Sequence, residues 1–364
     1  MKWVTTALTH LFEGANIAVV LLLWLSVGIT YLDPSRFPKL SLLPLAFPVF
    51  LFTTVAFVIF WLIFKVKRVW IPLVGIAACF SFVRDYCPLN LPSKPTEPQL
   101  SVLSFNTHGF GGKDAIDADG NNMMVKYLAE CGHDIICLQE TYTAAHVNTL
   151  TDSLEPRGYH QAHYKGLTLL SRLPIIESEE LTYPTLNNSG FLAKLLWGED
   201  TILLINNHFE SNHFSLEMRQ KYVDVLDQTA NPNRNRSVTD SLINDVKPLL
   251  RLMAEAAPMR AAQTNIIDSI VNEWLPRPVI LCGDFNDTPV SYTHRVLTRN
   301  LTSAFRESGN GLGLTFRERG FPVRIDHILF SPQYWTSHNT RVDGDMNLSD
   351  HRPIYTILSQ KSGR

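Results

Sequence analysis

The sequence is poor in the residues that announce sulfur-based metal or redox chemistry. Its 364 residues hold five cysteines, Cys79, Cys87, Cys131, Cys137 and Cys282, and none stand at a CxxC or other zinc-binding spacing. That excludes a zinc ribbon and a thioredoxin-like pair. Cys131, Cys137 and Cys282 lie in or beside apolar runs and read as buried thiols. Basic excess is missing as well. Of 32 Lys and Arg, eight precede residue 98, as do four of the 34 Asp and Glu, which leaves 24 basic and 30 acidic residues and a net charge of −6 beyond it. Such a balance lacks the broad basic footprint of many nucleic-acid binders and leaves room only for a local positive groove. There is no P-loop, since "GFGGK" (Gly109 to Lys113) is too short and lacks Ser or Thr, and reads as a flexible loop. "DAIDADGNN" (Asp114 to Asn122) lacks the alternate acids and closing glutamate of a calcium loop and reads as a solvated turn. No internal repeat or low-complexity tract is present.

Charge is also absent from two long apolar runs. Composition is 45% hydrophobic and 18% charged, and the apolar excess is local: Ala15 to Tyr31 and Leu40 to Phe64 carry no charge. Both approach or exceed the length a helix needs to cross a hydrocarbon core. A third run, Val69 to Val83, is shorter. A cleaved signal peptide would account for the first run but not for the longer one that follows closely. Transport pathways are marked by intramembrane ionisable residues, and these runs have none, so a transporter is disfavoured. Residues 1–86 therefore read as an anchor of two to three transmembrane helices, in contact with a lipid bilayer. "KVKR" (Lys65 to Arg68) packs three positive charges into a short loop, which favours the cytoplasm. With three spans, the chain beyond them lies outside. Asn347-Leu348-Ser349 abuts Asp350, where a glycan would obstruct, so a bacterial periplasm suits the arrangement better than a glycosylating pathway.

Residues 87–99, "CPLNLPSKPTEPQ", read as a proline-rich linker. Residues 100–364 then form one domain large enough to bury a substantial core. Apolar runs predict strands at Leu100 to Asn106, Asp134 to Glu140, Leu167 to Ile175, Thr201 to Phe209, Pro278 to Asn286, Arg324 to Phe330 and Arg352 to Leu358. A short helix is expected around Asn122 to Cys131, and helical spacing dominates Leu216 to Leu275, broken near "TANPNRNRS". The fold class is α/β or α+β. Polar residues gather at, in or beside these strands: Asn106, Glu140, His208, Asp284 with Asn286, Asp326, and Asp350 with His351. One polar residue at a strand end is normally the first residue of a loop. Six such places argue otherwise, because so many carboxylates and imidazoles are costly to bury unless they pair with each other or a cation.

"SFNTHG", "ICLQET", "INNHFES", "CGDFNDTP", "RIDHIL" and "LSDHRPI", in that order, resemble the endonuclease/exonuclease/phosphatase superfamily with its deoxyribonuclease I-like fold. The resemblance runs from about Gln99 to Leu358 and implies a sandwich of two mixed β-sheets flanked by helices. It implies hydrolysis of a phosphate ester with Mg²⁺ or Mn²⁺; nucleic acid, a phospholipid head group and a small phosphodiester all stay open as substrates. By the same resemblance Glu140 binds the metal, with Asn106 and Asp350 as further or water-mediated ligands. Asp284 orients or deprotonates the attacking water, and Asn286, two residues on and on the same strand face, holds the phosphate, a contact also open to Asn106. His351 bonds the phosphoryl oxygens with Asp326 fixing its ring, and His208 protonates the leaving oxygen. Asp350 faces the cation and His351 the phosphate, with the strand beginning at Arg352. His108 has no assigned role, nor have His133, His160, His163, His213 and His294. A helical insertion is expected around residues 211–258. A catalytically silent binding module on the same fold is the alternative, and no catalytic position of the motif set is missing.

Overall fold

The computed structural model describes residues 2–212, 214, 217–218, 220–224, 246–318 and 322–361. Two six-stranded mixed sheets face each other. From edge to edge, the first holds β11 (Trp335–Val342), β12 (Ile354–Gln360), β1 (Gln99–Asn106), β2 (Ile135–Gln139), β4 (Leu167–Ser171) and β3 (His160–Tyr164). The second holds β5 (Ile175–Glu180), β6 (Gly190–Trp197), β7 (Asp200–His208), β8 (Val279–Asp284), β10 (Asp326–Phe330) and β9 (Thr302–Ser303). The expected sandwich is present.

Alternation along each strand builds the layers. Leu100, Val102, Ile135, Cys137, Leu204, Ile280, Cys282 and Ile328 point between the sheets and pack as one core. Leu103, Phe105, Ile136 and Leu138 point outward under α5 (Met123–Glu130) and α6 (Ala144–Leu154). Leu203, Ile205, Val279 and Leu281 do the same under α7 (Lys247–Trp274). Each fully buried Leu, Ile or Val stabilises the fold by roughly 1.5–3 kcal/mol.

Leu167 to Ile175 is not one strand. It breaks at Arg172 to Pro174, and β4 and β5 belong to different sheets, because Pro174 has no N–H to continue a ladder. The final strand begins at Ile354 rather than Arg352. Of the helical stretch expected from Leu216 to Leu275, the structure shows α7 running unbroken through Pro258, and residues 225–245 lie outside the described residues. The aspartate-rich loop is a turn closed by the Asp117 carboxylate, which accepts from the N–H groups of Asp119 and Asn121.

Ahead of the sandwich stand α1 (Lys2–Ile29), a 3₁₀ turn (Leu40–Ala46), α2 (Phe47–Phe64), α3 (Trp70–Ala78) and α4 (Phe80–Tyr86). Thr6–Ile29 and Leu40–Phe64 are long and apolar enough to cross a membrane. The third run is not a straight span, because it bends by 69° between Ala78 and Phe80. α1 and α2 are joined at one end by Trp61 Nε1 donating to Asn16 Oδ1 at 3.2 Å and by an Arg68–Glu13 ion pair. α3 returns beside α1, with Trp24 Nε1 donating to the Gly75 carbonyl at 2.9 Å. A Cβ on Gly75 would lie 2.8 Å from Val20, so only glycine permits this approach.

At the other end these N-terminal helices meet the sandwich. Val290 packs with Leu23, Phe47, Leu51 and Cys79. Arg306 pairs with Asp85 at 2.6 Å, Arg324 donates to the carbonyls of Asp85 and Tyr86, and Arg295 donates to the Thr30 carbonyl at 2.7 Å. Residues 87–98 are tied to the same surface, with the Asn90 side chain donating to the carbonyls of Arg306 and Gly309. Behind this seam His294, on α8 (Tyr292–Leu297), packs against His327 with ring centroids 5.0 Å apart and the rings tilted by 55°. Burial pushes His294 down from 6.5 to about 4, against the pull of Asp85. It is neutral when folded and takes a proton when unfolded, so its contribution is present above pH 6.5 and is lost as pH falls toward 4, at about 1.4 kcal/mol per pH unit. The melting temperature of the solubilised protein should therefore fall between pH 7 and pH 5, and His294→Gln should flatten that dependence. An equal dependence in both proteins would rule out His294 as its source.

Candidate active site

Strand direction explains why the polar residues meet. β1 and β2 are parallel, as are β7 and β8, so all four carboxyl ends reach the same rim of the sandwich. β10 runs antiparallel to β8 and β12 antiparallel to β1, so their amino ends reach that rim too. His208, Asp284 and Asp326 sit side by side in register across three strands. Each continues an inward-facing row, such as Ile280, Cys282 and Asp284, so the apolar interior turns polar only where it nears the rim. β7 and β8 come very close there: a Cβ on Gly283 would lie 1.7 Å from the Asn207 carbonyl oxygen. Glycine is obligatory at that position.

Asp284 is the hub. Its Oδ2 accepts from Asn106 Nδ2 at 3.1 Å and lies 3.5 Å from His208 Nε2 and 3.7 Å from His351 Nε2. Its Oδ1 accepts from the Asn286 N–H at 2.8 Å. Burial, reinforced by Asp326, raises the Asp284 carboxyl above the ordinary aspartate range, and the facing imidazoles of His351 and His208 oppose that rise. His351 Nδ1 meets Asp326 Oδ2 at 2.8 Å. Burial alone would lower His351, but the carboxylates of Asp326 and Asp284 outweigh it and lift the imidazole to about 10. It is held as an imidazolium, with Nε2 directed at Asp284. Ser349 fixes the turn before β12, accepting from the His351 N–H at 3.0 Å and donating to the Asn106 carbonyl.

Glu140 lies just past β2 with a left-handed φ of +55°, which costs a non-glycine residue about 1–2 kcal/mol. His108 (φ +46°) and Asn286 (φ +48°) share this conformation, so strain concentrates at the site. Glu140 Oε1 accepts from Asn106 Nδ2 at 2.9 Å. The His108 ring stands between Glu140 Oε2 at 3.6 Å and Asp350 Oδ1 at 3.4 Å. Asn106 turns its amide nitrogen to the carboxylates and its oxygen to the His108 N–H at 3.1 Å.

Two groups of donors suit a cation. Asp284, Asp326 and His351 place one donor each within 4.8 Å of one another. They are all buried and Asp326 spends Oδ2 on His351, leaving only its buried Oδ1 unpaired, so a hard cation there would have to shed most of its waters. Glu140 and Asp350 converge on His108 with side chains 26% and 18% exposed, which supplies hard oxygens at a wetter rim. The donor chemistry fits Mg²⁺ or Mn²⁺ better at this second pair.

Asn286 does not share the strand face of Asp284, because β8 ends at Asp284 and the chain turns left-handed. It braces Asp284 through its backbone and donates Nδ2 to the Phe209 carbonyl at 2.9 Å. Sequence reasoning left His108 without a role and passed over Arg260, Asp287 and Phe316. The buried Arg260 guanidinium donates to the Glu210 carbonyl and Asn212 Oδ1 at 3.0 Å each and lies 3.9 Å from Asp287, holding the chain after β7 beside the site. Phe316 packs its ring 4.9 Å from His351. Nothing in a helical stretch of sequence separates such an arginine from a solvated one. His213 lies outside the described residues.

Carboxylates, imidazoles and amides converging at one rim of a two-sheet sandwich are an arrangement suited to phosphoric ester hydrolysis with a divalent cation. The chain belongs to the Endonuclease/Exonuclease/phosphatase family, whose model matches residues 103–351. A separate model of a domain of unknown function matches residues 9–86. No curated protein matches the sequence. Among solved structures, the human Nocturnin catalytic domain with bound sulfate anion is similar at 15% identity and TM-score 0.51, over 74% of this chain and 97% of that one. Truncated Caenorhabditis elegans TDP2 aligns at 16% identity and TM-score 0.49, over 73% of this chain and all of that one. A Bacteroides vulgatus endonuclease/exonuclease/phosphatase aligns at 17% identity and TM-score 0.49, over 73% of this chain and all of that one.

Proposed function

We propose that this chain is a membrane-anchored phosphodiesterase that uses Mg²⁺ or Mn²⁺. The carrying observation is that His208, His351 and Asn106 all address one buried carboxylate oxygen of Asp284, beside the Glu140 and Asp350 pair. Asp284 orients water and takes its proton. His351, kept cationic and oriented by Asp326, donates to a phosphoryl oxygen through Nε2. His208 protonates the departing oxygen, and Asn106 and Asn286 hold Asp284 and the phosphate in place. Glu140 and Asp350 are the residues that would hold the cation, which when bound supplies charge neutralisation at the phosphoryl group. A silent binding module has no use for so costly a cluster of buried carboxylates around cationic His351.

The anchor's packing supports a three-pass arrangement. Lys65 to Arg68 lie at the Glu13 end of the helices and the sandwich at the opposite end, and the bent α3–α4 pair carries the chain back between them. With Lys65 to Arg68 inside, the sandwich lies outside the cytoplasm. Alkaline phosphatase, active only outside the cytoplasm, fused after Pro98 should be active in a bacterial host. An inactive fusion at normal expression would reverse the orientation. The activity itself is tested by assaying the full-length protein with Mg²⁺ and Mn²⁺ against DNA, RNA, phospholipid and a chromogenic phosphodiester. Cleavage of at least one diester is expected, and failure on all of them would overturn the proposal.

A further inference from the structure

The catalytic cavity does not end inside the sandwich. It measures about 800 Å³, and Glu140, Asp284 and His351 line one side of it. The anchor supplies another side: Leu42 of the 3₁₀ turn and Val49 in the first turn of α2 line the same space as Leu250 and Met253 of α7. The ion pairs and hydrogen bonds at Asp85 and Thr30 hold these walls together. Polar chemistry at one end of a cavity and a membrane helix at the other suit an amphiphile. A nucleic acid would need cations along its backbone, and Arg260, already opposed by Asp287, is the one Lys or Arg among the described residues lining the cavity.

We propose, building on the phosphodiesterase reading, that the substrate is a glycerophospholipid of the surrounding membrane, its phosphodiester at Asp284 and His351 and its acyl chains along Leu42, Val49 and Leu250. Water oxygen bonds to phosphorus as one ester P–O bond breaks. The water proton passes to Asp284, and a proton from His208 goes to the departing alcohol, giving an alcohol and a phosphomonoester. No oxidant or second substrate is needed.

The test measures kcat/KM of the full-length protein in amphipol against phosphatidylglycerol esters of increasing acyl length, each below its aggregation limit, with a chromogenic phosphodiester and single-stranded DNA alongside. Burial of methylenes in an apolar wall predicts a rise of about tenfold or more from dibutyryl to dihexanoyl chains. Val49→Asp and Leu250→Glu should each flatten that rise severalfold. Leu250 is 44% exposed in a first helical turn that accepts a carboxylate, so its variant should fold. If Val49→Asp fails to insert, Val49→Asn, which adds no charge to a helix entering the membrane, should flatten the rise as well. Cleavage of the chromogenic diester with no chain-length dependence, or DNA cleaved faster than any lipid, would overturn the lipid substrate and leave the phosphodiesterase reading standing. Cleavage of no diester at all would overturn both.

Discussion

Replacing Asp284 with Asn should lower kcat by a factor on the order of 10² or more, as expected for loss of a general base. The fold should survive, because burial and the neighbouring Asp326 both work against the charge on this carboxyl. The amide keeps an oxygen to accept from the Asn286 N–H, now at 2.8 Å. What it cannot do is take a proton from water while facing His208 and His351 at 3.5 and 3.7 Å. His351→Ala should cost a comparable factor by removing the cation that faces the phosphoryl oxygens. It also strands Asp326, whose Oδ1 is buried with no hydrogen-bond partner, so this variant should be less stable than Asp284→Asn. Near-normal turnover by both purified variants, shown folded by circular dichroism, would mean that the chemistry happens elsewhere.

Exhaustive chelation should abolish activity, and Mg²⁺ or Mn²⁺ should restore it, since the donors offered at the rim are carboxylate oxygens without a cysteine. Glu140→Gln should raise the metal concentration for half-maximal activity by roughly 10- to 100-fold, a magnitude typical of groups that hold or orient a metal. His108 stands within 3.6 Å of both Glu140 and Asp350, so His108→Ala tests whether it competes with the cation or assists it. Activity that persists in full after chelation would remove the metal role from Glu140 and Asp350.

The strands that carry the chemistry were legible because each is a continuous or alternating apolar run with a polar residue at or beside one end, as in "ILCGD" before Phe285. The strands that carry none were harder to read. β3 (His160–Tyr164) is a largely exposed edge without a hydrophobic pattern, and β11 (Trp335–Val342) mixes Trp with Ser, His, Asn and Arg around a bulge. β4 and β5 merged because Leu173 and Ile175 continue the apolar pattern across the break at Pro174. Asp350 and His351 could be read as facing different partners, and the structure places Asp350 at His108 and His351 at Asp326. The left-handed turns at His108, Glu140 and Asn286 are hard to read from residue type, since none is glycine and only His and Asn belong to the types enriched there. The shared wall of Val49 and Leu250 was out of reach for a further reason: only tertiary packing brings α2 and α7 to one cavity.

The central claim is that water held by Asp284 attacks phosphorus at this rim. Hydrolysis of a phosphodiester in water enriched in heavy oxygen, with Mg²⁺ present, tests it most directly by mass spectrometry of both products. The label should appear in the phosphomonoester and not in the alcohol, and its incorporation should fall in step with the loss of activity in Asp284→Asn. Label in the alcohol, or labelled phosphomonoester formed by Asp284→Asn at the wild-type rate, would contradict it.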